Sequence, residues 1–476
     1  MPEPVESARP FRSVIVKVLP SLLLLCALPC AAPAAPIDLP ARPGAFWLRL
    51  DVLPDDAPVP APGVILRFDS LAALTAHALA HRAESRAAWL GIQAEAARLD
   101  AVDADRWPTL TGQLNFTRSE SLSSSGTSVP VLHRYGPSLS LAWVLYDFGA
   151  RAAGIEAQRY QLIGSLLAGN RTLQDIVNEV ETAWAAWVAA RGQQDAQAEQ
   201  VKALRASLDA VEARLAGGLA SRADQLRARA ALAEAALARD AAARDFAKAE
   251  AALKQAAGVA QTQMLVLDWD STPAAGLDAA TLLADLLAEA ERQRPDLLSL
   301  RAAAARARAE SARARAERWP SLALNASAGR TFFLEDERSP SSTNSVGLTL
   351  SVPLFDGGRL ADMARAAERD AEQAEAHAAA QREQIALDVV NAYEDARYAQ
   401  GARAGIEMQF ASADESARAA EARYKAGVGS LLEWLTAQAD RVRARQAQAQ
   451  AESDWLAALS RLNHALGHLP PALTEK

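Results

Sequence analysis

The chain is short of what most catalytic and compact proteins rely on. Of its 476 residues only Cys26 and Cys30 are cysteines, and both lie in the first 35 positions. Past that point no disulfide and no cysteine metal site can form. Basic side chains number 50 against 58 acidic ones and form no block, which argues against nucleic acid as a partner. After the N-terminal segment no apolar run approaches the length of a membrane-spanning helix. No phosphate-cradling glycine loop and no nucleophile–base arrangement is present, so no enzyme activity and no cofactor are expected. The i,i+4 pairs His77/His81 and His464/His468 have a zinc-compatible spacing but lack the acidic third ligand, and no metal site is expected.

What is present begins with a targeting pattern. Arg9, Arg12 and Lys17 precede an apolar stretch, Val18 to Leu28, and small residues follow at Ala31, Ala32, Ala34 and Ala35. That order predicts a signal peptide over 1–35. An N-terminal anchor is the alternative reading; Cys30 lacks the small-residue pattern that precedes a lipidated cysteine, so no lipidation is expected, and lipidation at Cys30 is the minor alternative. The first 35 residues hold three basic and two acidic side chains, so the net charge of −8 becomes −9 without them. Residues 36–63 contain seven prolines, and 36–68 reads as an extended leader.

The most informative property is self-similarity. Trp107-Pro108 recurs as Trp319-Pro320, and Arg82-Ala83-Glu84 aligns with Arg294-Pro295-Asp296, an offset of 212. Further on the offset is 209: Asp147 meets Asp356, Arg214 meets Arg423, Gly218 meets Gly427, Ser221 meets Ser430, and Gly258 meets Gly467. The chain therefore reads as two copies of one unit, 69–258 and 281–467, joined by a connector at 259–280 and followed by a tail at 468–476. Each copy holds two segments of period 2, at about 109–117 and 138–146 in the first and about 321–329 and 346–353 in the second. Leu110, Leu114 and Phe116 alternate with Thr109, Gln113 and Asn115, a pattern suited to a wall between lipid and water. Four such strands cannot close, and an open edge in lipid costs several kcal/mol per unpaired backbone group. The sequence thus demands an oligomer.

Each second strand leads into a turn, Asp147 to Gly149 or Asp356-Gly357-Gly358, and then into a helix with a heptad-like seam. The first helix is expected over about 149–216, 68 residues without proline, and the second over about 357–426. At 1.5 Å per residue each would be roughly 100 Å long. Both stop at glycine and restart at a serine followed three residues later by an acid, Ser221 to Asp224 and Ser430 to Glu433, the capping-box pattern. Return helices are expected over about 221–257 and 430–466.

Val352-Pro353-Leu354-Phe355-Asp356-Gly357-Gly358-Arg359, Arg294-Pro295-Asp296-Leu297 and Arg423-Tyr424-Lys425-Ala426-Gly427-Val428-Gly429-Ser430, in this order, resemble the outer-membrane efflux protein family, the TolC-like channels. The resemblance implies a mixed α/β membrane protein. It would be a homotrimer in the outer membrane of a Gram-negative bacterium, with a 12-stranded β-barrel continuous with a 12-helix barrel in the periplasm. It implies outer-membrane lipid, a periplasmic adaptor and an inner-membrane transporter as partners, and passive efflux of small molecules or metal ions as function. Polypeptide secretion is the runner-up, and a periplasmic coiled-coil or adaptor protein the lower alternative. The family's adaptor-docking tips map onto Gly218, Leu219, Ala220 and Ser221, and onto Gly427, Val428, Gly429 and Ser430. Its periplasmic gate maps onto Tyr424, Glu433 and Thr436, although Gly429 stands where the family's basic gating residue would be and Thr436 where a second acid would be.

Overall fold

A computed structural model describes residues 65–120, 131–268, 282–334 and 339–468. The signal peptide, nearly all of the leader and most of the C-terminal tail lie outside the described residues. The elements in order are β1 (Ile65–Phe68), α1 (Leu71–His81), α2 (Ala83–Asp103), β2 (Thr109–Ser119), β3 (Leu132–Tyr146), α3 (Ala150–Ala216) and α4 (Arg222–Ala256). Then follow β4 (Met264–Leu267), α5 (Leu283–Gln293), α6 (Pro295–Ala316), β5 (Ser321–Phe333), β6 (Ser341–Ser351), α7 (Arg359–Lys425) and α8 (Leu431–Leu466). Helices α3 and α7 each have 67 residues.

Strands β2, β3, β5 and β6 form one antiparallel sheet in that order. They are longer than their period-2 cores because Ser, Thr and Arg continue the pairing past the apolar residues: Ser119 faces Leu132, Arg134 faces Phe333, and Thr331 faces Ser341. Leu110, Leu114, Phe116, Val346, Leu348 and Leu350 are all at least 65% exposed. An isolated soluble sheet would bury such a row. The opposite face is joined by hydroxyl and amide contacts, such as Asn115 to Ser138 (3.4 Å), Asn325 to Thr349 (3.3 Å) and Ser327 to Ser345 (2.7 Å). β3 and β5 approach closely at Gly136, where a Cβ would lie 1.8 Å from the Arg330 carbonyl oxygen.

The long helices leave the sheet side by side with partners that change halfway. Near the strands the packing order is α2–α3–α6–α7, and near the far end it is α4–α3–α8–α7. Alanine makes this close packing possible: a Cβ on Gly192 of α3 would stand 2.7 Å from the Ala449 Cβ of α8. The changeover is filled by short elements. The leader expected to extend to residue 68 ends earlier, because Ile65–Phe68 pairs in parallel with Met264–Leu267 inside the connector. Leu66, Phe68, Leu265 and Leu267 pack there against Leu74, Ile176, Val180 and Leu253. A second core joins Leu286, Leu297, Ile385, Val389, Trp455 and Leu462. Apolar side chains recruited from distant parts of the chain hold the midpoint of the helices together.

Candidate functional site: the turns, the tips and the clasp

At the strand-to-helix turns the two copies solve one problem differently. Gly149 (φ 91°) and Gly358 (φ 88°) are the N-caps. Asp147 and Asp356 sit two residues earlier, outside the N-cap position. Their carboxylates still cap the helices: Asp147 accepts from the amides of Gly149 (3.2 Å) and Arg151 (3.0 Å), and Asp356 from those of Gly358 (3.0 Å) and Leu360 (2.8 Å). The Leu360 amide above all, with that of Gly358, holds the Asp356 carboxyl below its ordinary range. Where the second copy has Gly357 at φ 69°, the first has Phe148 at φ 52°, a left-handed conformation that costs a non-glycine residue roughly 1–2 kcal/mol. Its ring stacks against Trp319 at 5.7 Å and meets Tyr146 edge-on at 4.8 Å. With the exposed Trp107 and Phe355 these rings form an aromatic group at the helical end of the sheet. Tyr135 and Phe332 stack at 5.4 Å toward the opposite end.

At the far end of the helices, Gly218 (φ 74°) and Gly427 (φ 81°) reverse the chain. The amides of Leu219 and Val428 close these turns on the carbonyls of Arg214 (2.7 Å) and Arg423 (3.0 Å). Leu219 (73%) and Val428 (71%) project as exposed apolar side chains. Ala220 packs partly against the tip core, and Gly429 fits tightly, a Cβ there lying 3.0 Å from that of Arg423. The first restart is a full capping box: Ser221 Oγ accepts from the Asp224 amide and Asp224 accepts from the Ser221 amide, both at 3.1 Å. Ser221 holds the Asp224 carboxyl below its ordinary range. The second restart is half of one. Ser430 Oγ accepts from the Glu433 amide (3.1 Å), but the Glu433 carboxylate pairs with Arg423 at 3.0 Å instead of returning to Ser430.

The gate candidates do not form one cluster. Glu433 and Thr436 line a groove between α7 and α8 with Arg423, Ser430 and Asp440. Tyr424 turns into the protein, 6% exposed, against Trp434 at 5.1 Å. The Arg214 guanidinium lies 4.7 Å from the centre of the Tyr424 ring and donates to its carbonyl oxygen. Burial pushes the Tyr424 phenol above its ordinary pKa. One tip therefore grips the other through Arg214. The offset of 209 aligned Arg214 with Arg423, but nothing in the sequence indicated the reach across.

Two further arginines were visible only as a matched pair. Arg82 and Arg294 stand at the junctions α1–α2 and α5–α6, with side chains 9% and 4% exposed. Arg82 pairs with Glu84, with Glu179 of α3 (2.6 Å) and with the Ala256 carbonyl at the end of α4 (3.1 Å). Arg294 pairs with Asp296 (3.0 Å), with Asp388 of α7 (3.3 Å) and with the Ala465 carbonyl at the end of α8 (3.4 Å). Each arginine is a clasp on two short helices, a long helix and a return helix. Burial raises the Asp296 carboxyl, but the hydrogen bonds and charge of Arg294 outweigh it and hold the group below its ordinary range.

The four histidines of the i,i+4 pairs have ordinary partners. His81 contacts the His77 carbonyl (3.0 Å), His464 bonds Asp175 (2.6 Å), and His468 bonds Glu289 (3.0 Å). His77 stacks on His81 at 4.0 Å. Among the described residues no three metal-binding side chains converge, and no helix is long and apolar enough to cross a membrane.

Comparison with known proteins places this architecture. The model of the outer membrane efflux protein family matches residues 74–259 and 286–468. Protein CyaE of Bordetella pertussis is 31% identical over 395 residues, covering 81% of this chain and 82% of that one. The crystal structure of a membrane protein from Pseudomonas aeruginosa superposes with a TM-score of 0.72 at 24% identity, covering 85% of this chain and 91% of that one. The outer membrane protein VceC of Vibrio cholerae superposes with a TM-score of 0.71 at 20% identity, covering 83% and 96%. Both structures share the fold, and the family match spans most of the chain. The chain belongs to the outer membrane efflux protein family.

Proposed function

We propose that this protein is the passive exit duct of a tripartite efflux system, a homotrimer whose three four-stranded sheets close a 12-stranded barrel in the outer membrane. The observation that carries this reading is the sheet itself. Over the part of the strands nearer the helices one face is a row of exposed apolar side chains and the other is polar, and among the described residues β2 and β6 each have a sheet neighbour on one side only. The strands alternate in direction, so β6 of one copy runs opposite to β2 of the next. Antiparallel pairing can therefore continue head to tail until the ring closes. The long helices, roughly 100 Å each, reach far enough to carry the duct across the periplasm. Packing four abreast, they would build a 12-helix barrel with the tips facing inward to the cell.

In this arrangement the exposed Leu219 and Val428, with Gly218, Ala220, Ser221, Gly427, Gly429 and Ser430 around them, dock a periplasmic adaptor that links the duct to an inner-membrane transporter. The duct has no energy source of its own; the transporter supplies it, and hydrated small solutes or metal ions are the cargo. In planar bilayers the purified protein is expected to give discrete conductance steps; a silent bilayer would contradict the channel reading.

The gate is assigned to the second tip, with Glu433 and its Arg423 partner restraining the groove between α7 and α8 and Tyr424 anchoring the tip. Glu433→Ala releases Arg423 and is expected to raise basal conductance, with single-channel recording as the measurement. Because the exposed pair contributes at most about 1 kcal/mol, the open fraction should rise by no more than roughly fivefold. Unchanged conductance would remove Glu433 from the gate.

A further inference from the structure

The polar face of the sheet carries one charged side chain among the described residues, and we propose that this residue, Arg134, biases the pore toward anions at the end remote from the helices. The inference rests on the trimeric-barrel reading, which turns the polar face into the pore wall.

Strand register settles which residues share that face. Thr117 pairs with Arg134, Asn115 with Gly136, and Gln113 with Ser138. Ser138 in turn pairs with Gly329, and Gly329 with Thr343. The face is thus built mostly of hydroxyls, amides and small residues; Leu132 and Phe333 are apolar members at the end remote from the helices, and Arg134 is the charged one. Arg134 donates to Ser119, which lies two residues from Thr117 on the same face of β2, so the guanidinium belongs to the wall and not to the apolar side. Arg118 pairs with His133 and Arg330 with Ser342, one register step away, so those charges belong to the other face.

Arg134 is exposed, and among the described residues its side chain makes a hydrogen bond from Nη2 to Ser119 Oγ at 3.3 Å. A guanidinium has five N–H donors, so most of its capacity is left for water or a passing anion. No carboxylate shares the strand face with it among the described residues. Glu120 follows the last residue of β2, and Glu335, Asp336 and Glu337, which lie outside the described residues, follow in sequence after Phe333, the ladder partner of Arg134. Three copies would place three fixed positive charges around one level of the pore. Rings of arginine or lysine favour anions, and at 0.1 M salt a fixed charge acts over about 10 Å. The chemical class favoured is small anionic solutes, from chloride to organic carboxylates and phosphates.

The test uses the purified full-length protein in planar bilayers, with reversal potentials measured across a potassium chloride gradient. Arg134→Gln is expected to lower the chloride-to-potassium permeability ratio about twofold at low salt, and the difference should fade toward 1 M, where the screening length is about 3 Å. Arg134→Lys should keep the wild-type ratio. Thr117→Asp places a carboxylate beside the guanidinium and should lower the ratio while the arginine remains. In Arg134→Cys, an anionic thiosulfonate added from the strand side should reduce conductance, whereas the wild type should not respond. If wild type and variants conduct with the same ratio, and the cysteine variant ignores the reagent, the assignment of Arg134 is wrong although the channel stands. If the wild type itself does not conduct, the channel reading is what fails.

Discussion

Arg294→Ala is expected to lower stability by about 3 kcal/mol, toward the lower end of what removal of one partner from a buried ion pair costs. The arginine side chain is 4% exposed, whereas Asp296 and Asp388 retain 21% and 36%, so solvent relieves part of the stranded negative charge. The loss also leaves the Ala465 carbonyl at the end of α8 without its donor. Arg82→Ala should cost less, because Glu84 (60%) and Glu179 (46%) are more exposed. Arg294→Lys should rescue only part of the loss, since an ammonium cannot reproduce the two-pronged contact with Asp296. Unfolding midpoints in detergent would check this order. The clasp also has a pH signature. Because Arg294 depresses the Asp296 carboxyl, its contribution is fully present above the unfolded value near pH 4 and is lost as pH falls through the lower folded value. Acidification below about pH 4 should therefore narrow the gap between wild type and Arg294→Ala. A gap that stays constant would detach Asp296 from the clasp.

Gly136→Ala is expected to abolish barrel assembly without disturbing the helices. Its Cβ would sit 1.8 Å from the Arg330 carbonyl oxygen and 2.9 Å from the carbonyl carbon, both backbone atoms that no rotamer can move. Relief requires β3 and β5 to separate. That pairing joins the strands of the two halves of the chain, and Gly136 lies where ladder pairs are interrupted between Tyr135↔Phe332 and Ser138↔Gly329. In lipid each backbone group so freed costs several kcal/mol. Gly347, which has open space around its Cβ position, is the control, and Gly347→Ala should assemble normally. Heat-modifiable mobility of membrane fractions measures assembly, and circular dichroism reports the helices. Normal assembly of Gly136→Ala would show that the two strands can part more cheaply than the close contact implies.

Helix α7 was legible in the sequence in a way that α3 was not. The α7 seam, spaced by threes and fours from Ile385 to Tyr424, is buried at Ile385, Val389, Ala392, Ala396, Ala399, Ala417, Ala420 and Tyr424 and half-buried at Ile406, Phe410 and Ala413. Its weak middle coincides with Arg403, which reaches out to Glu452 at 2.7 Å. In α3 the seam is buried at Ile176, Val180, Leu204 and Val211, but at Val201 and Leu208 the preceding residues, Gln200 and Ser207, are the buried ones. The difference lies in the neighbours. α7 stands at the edge of the helical layer with partners on one side, whereas α3 has α2 or α4 on one side and α6 or α8 on the other. A helix buried on two flanks needs two stripes, and over many turns the 3.6-residue period drifts from a seven-residue repeat. Helices α2 and α6 are rich in Ala and Arg and carry no single apolar stripe, so periodicity does not mark them in the sequence.

The candidate site divides in the same way. Local chemistry was readable: the tip glycines at positive φ and the Ser221–Asp224 box follow from residues within four positions of each other. Contacts across the fold were not. Arg214 meets Tyr424 across 210 positions, and Arg294 meets Ala465 across 171. The self-comparison showed that these arginines recur without showing what they touch. The same limit applies to Phe148, whose left-handed backbone contradicts its residue type and is explained only by the rings of Tyr146 and Trp319 around it.

The central claim is that four strands per chain close a ring with copies of themselves, and the native mass of the protein extracted from outer membranes in mild detergent tests it most directly. Three protomer masses per particle, with a cysteine on edge strand β2 cross-linking to one on β6 of a neighbouring copy, is the expected result; a monomer, or a dimer without that cross-link, would contradict it.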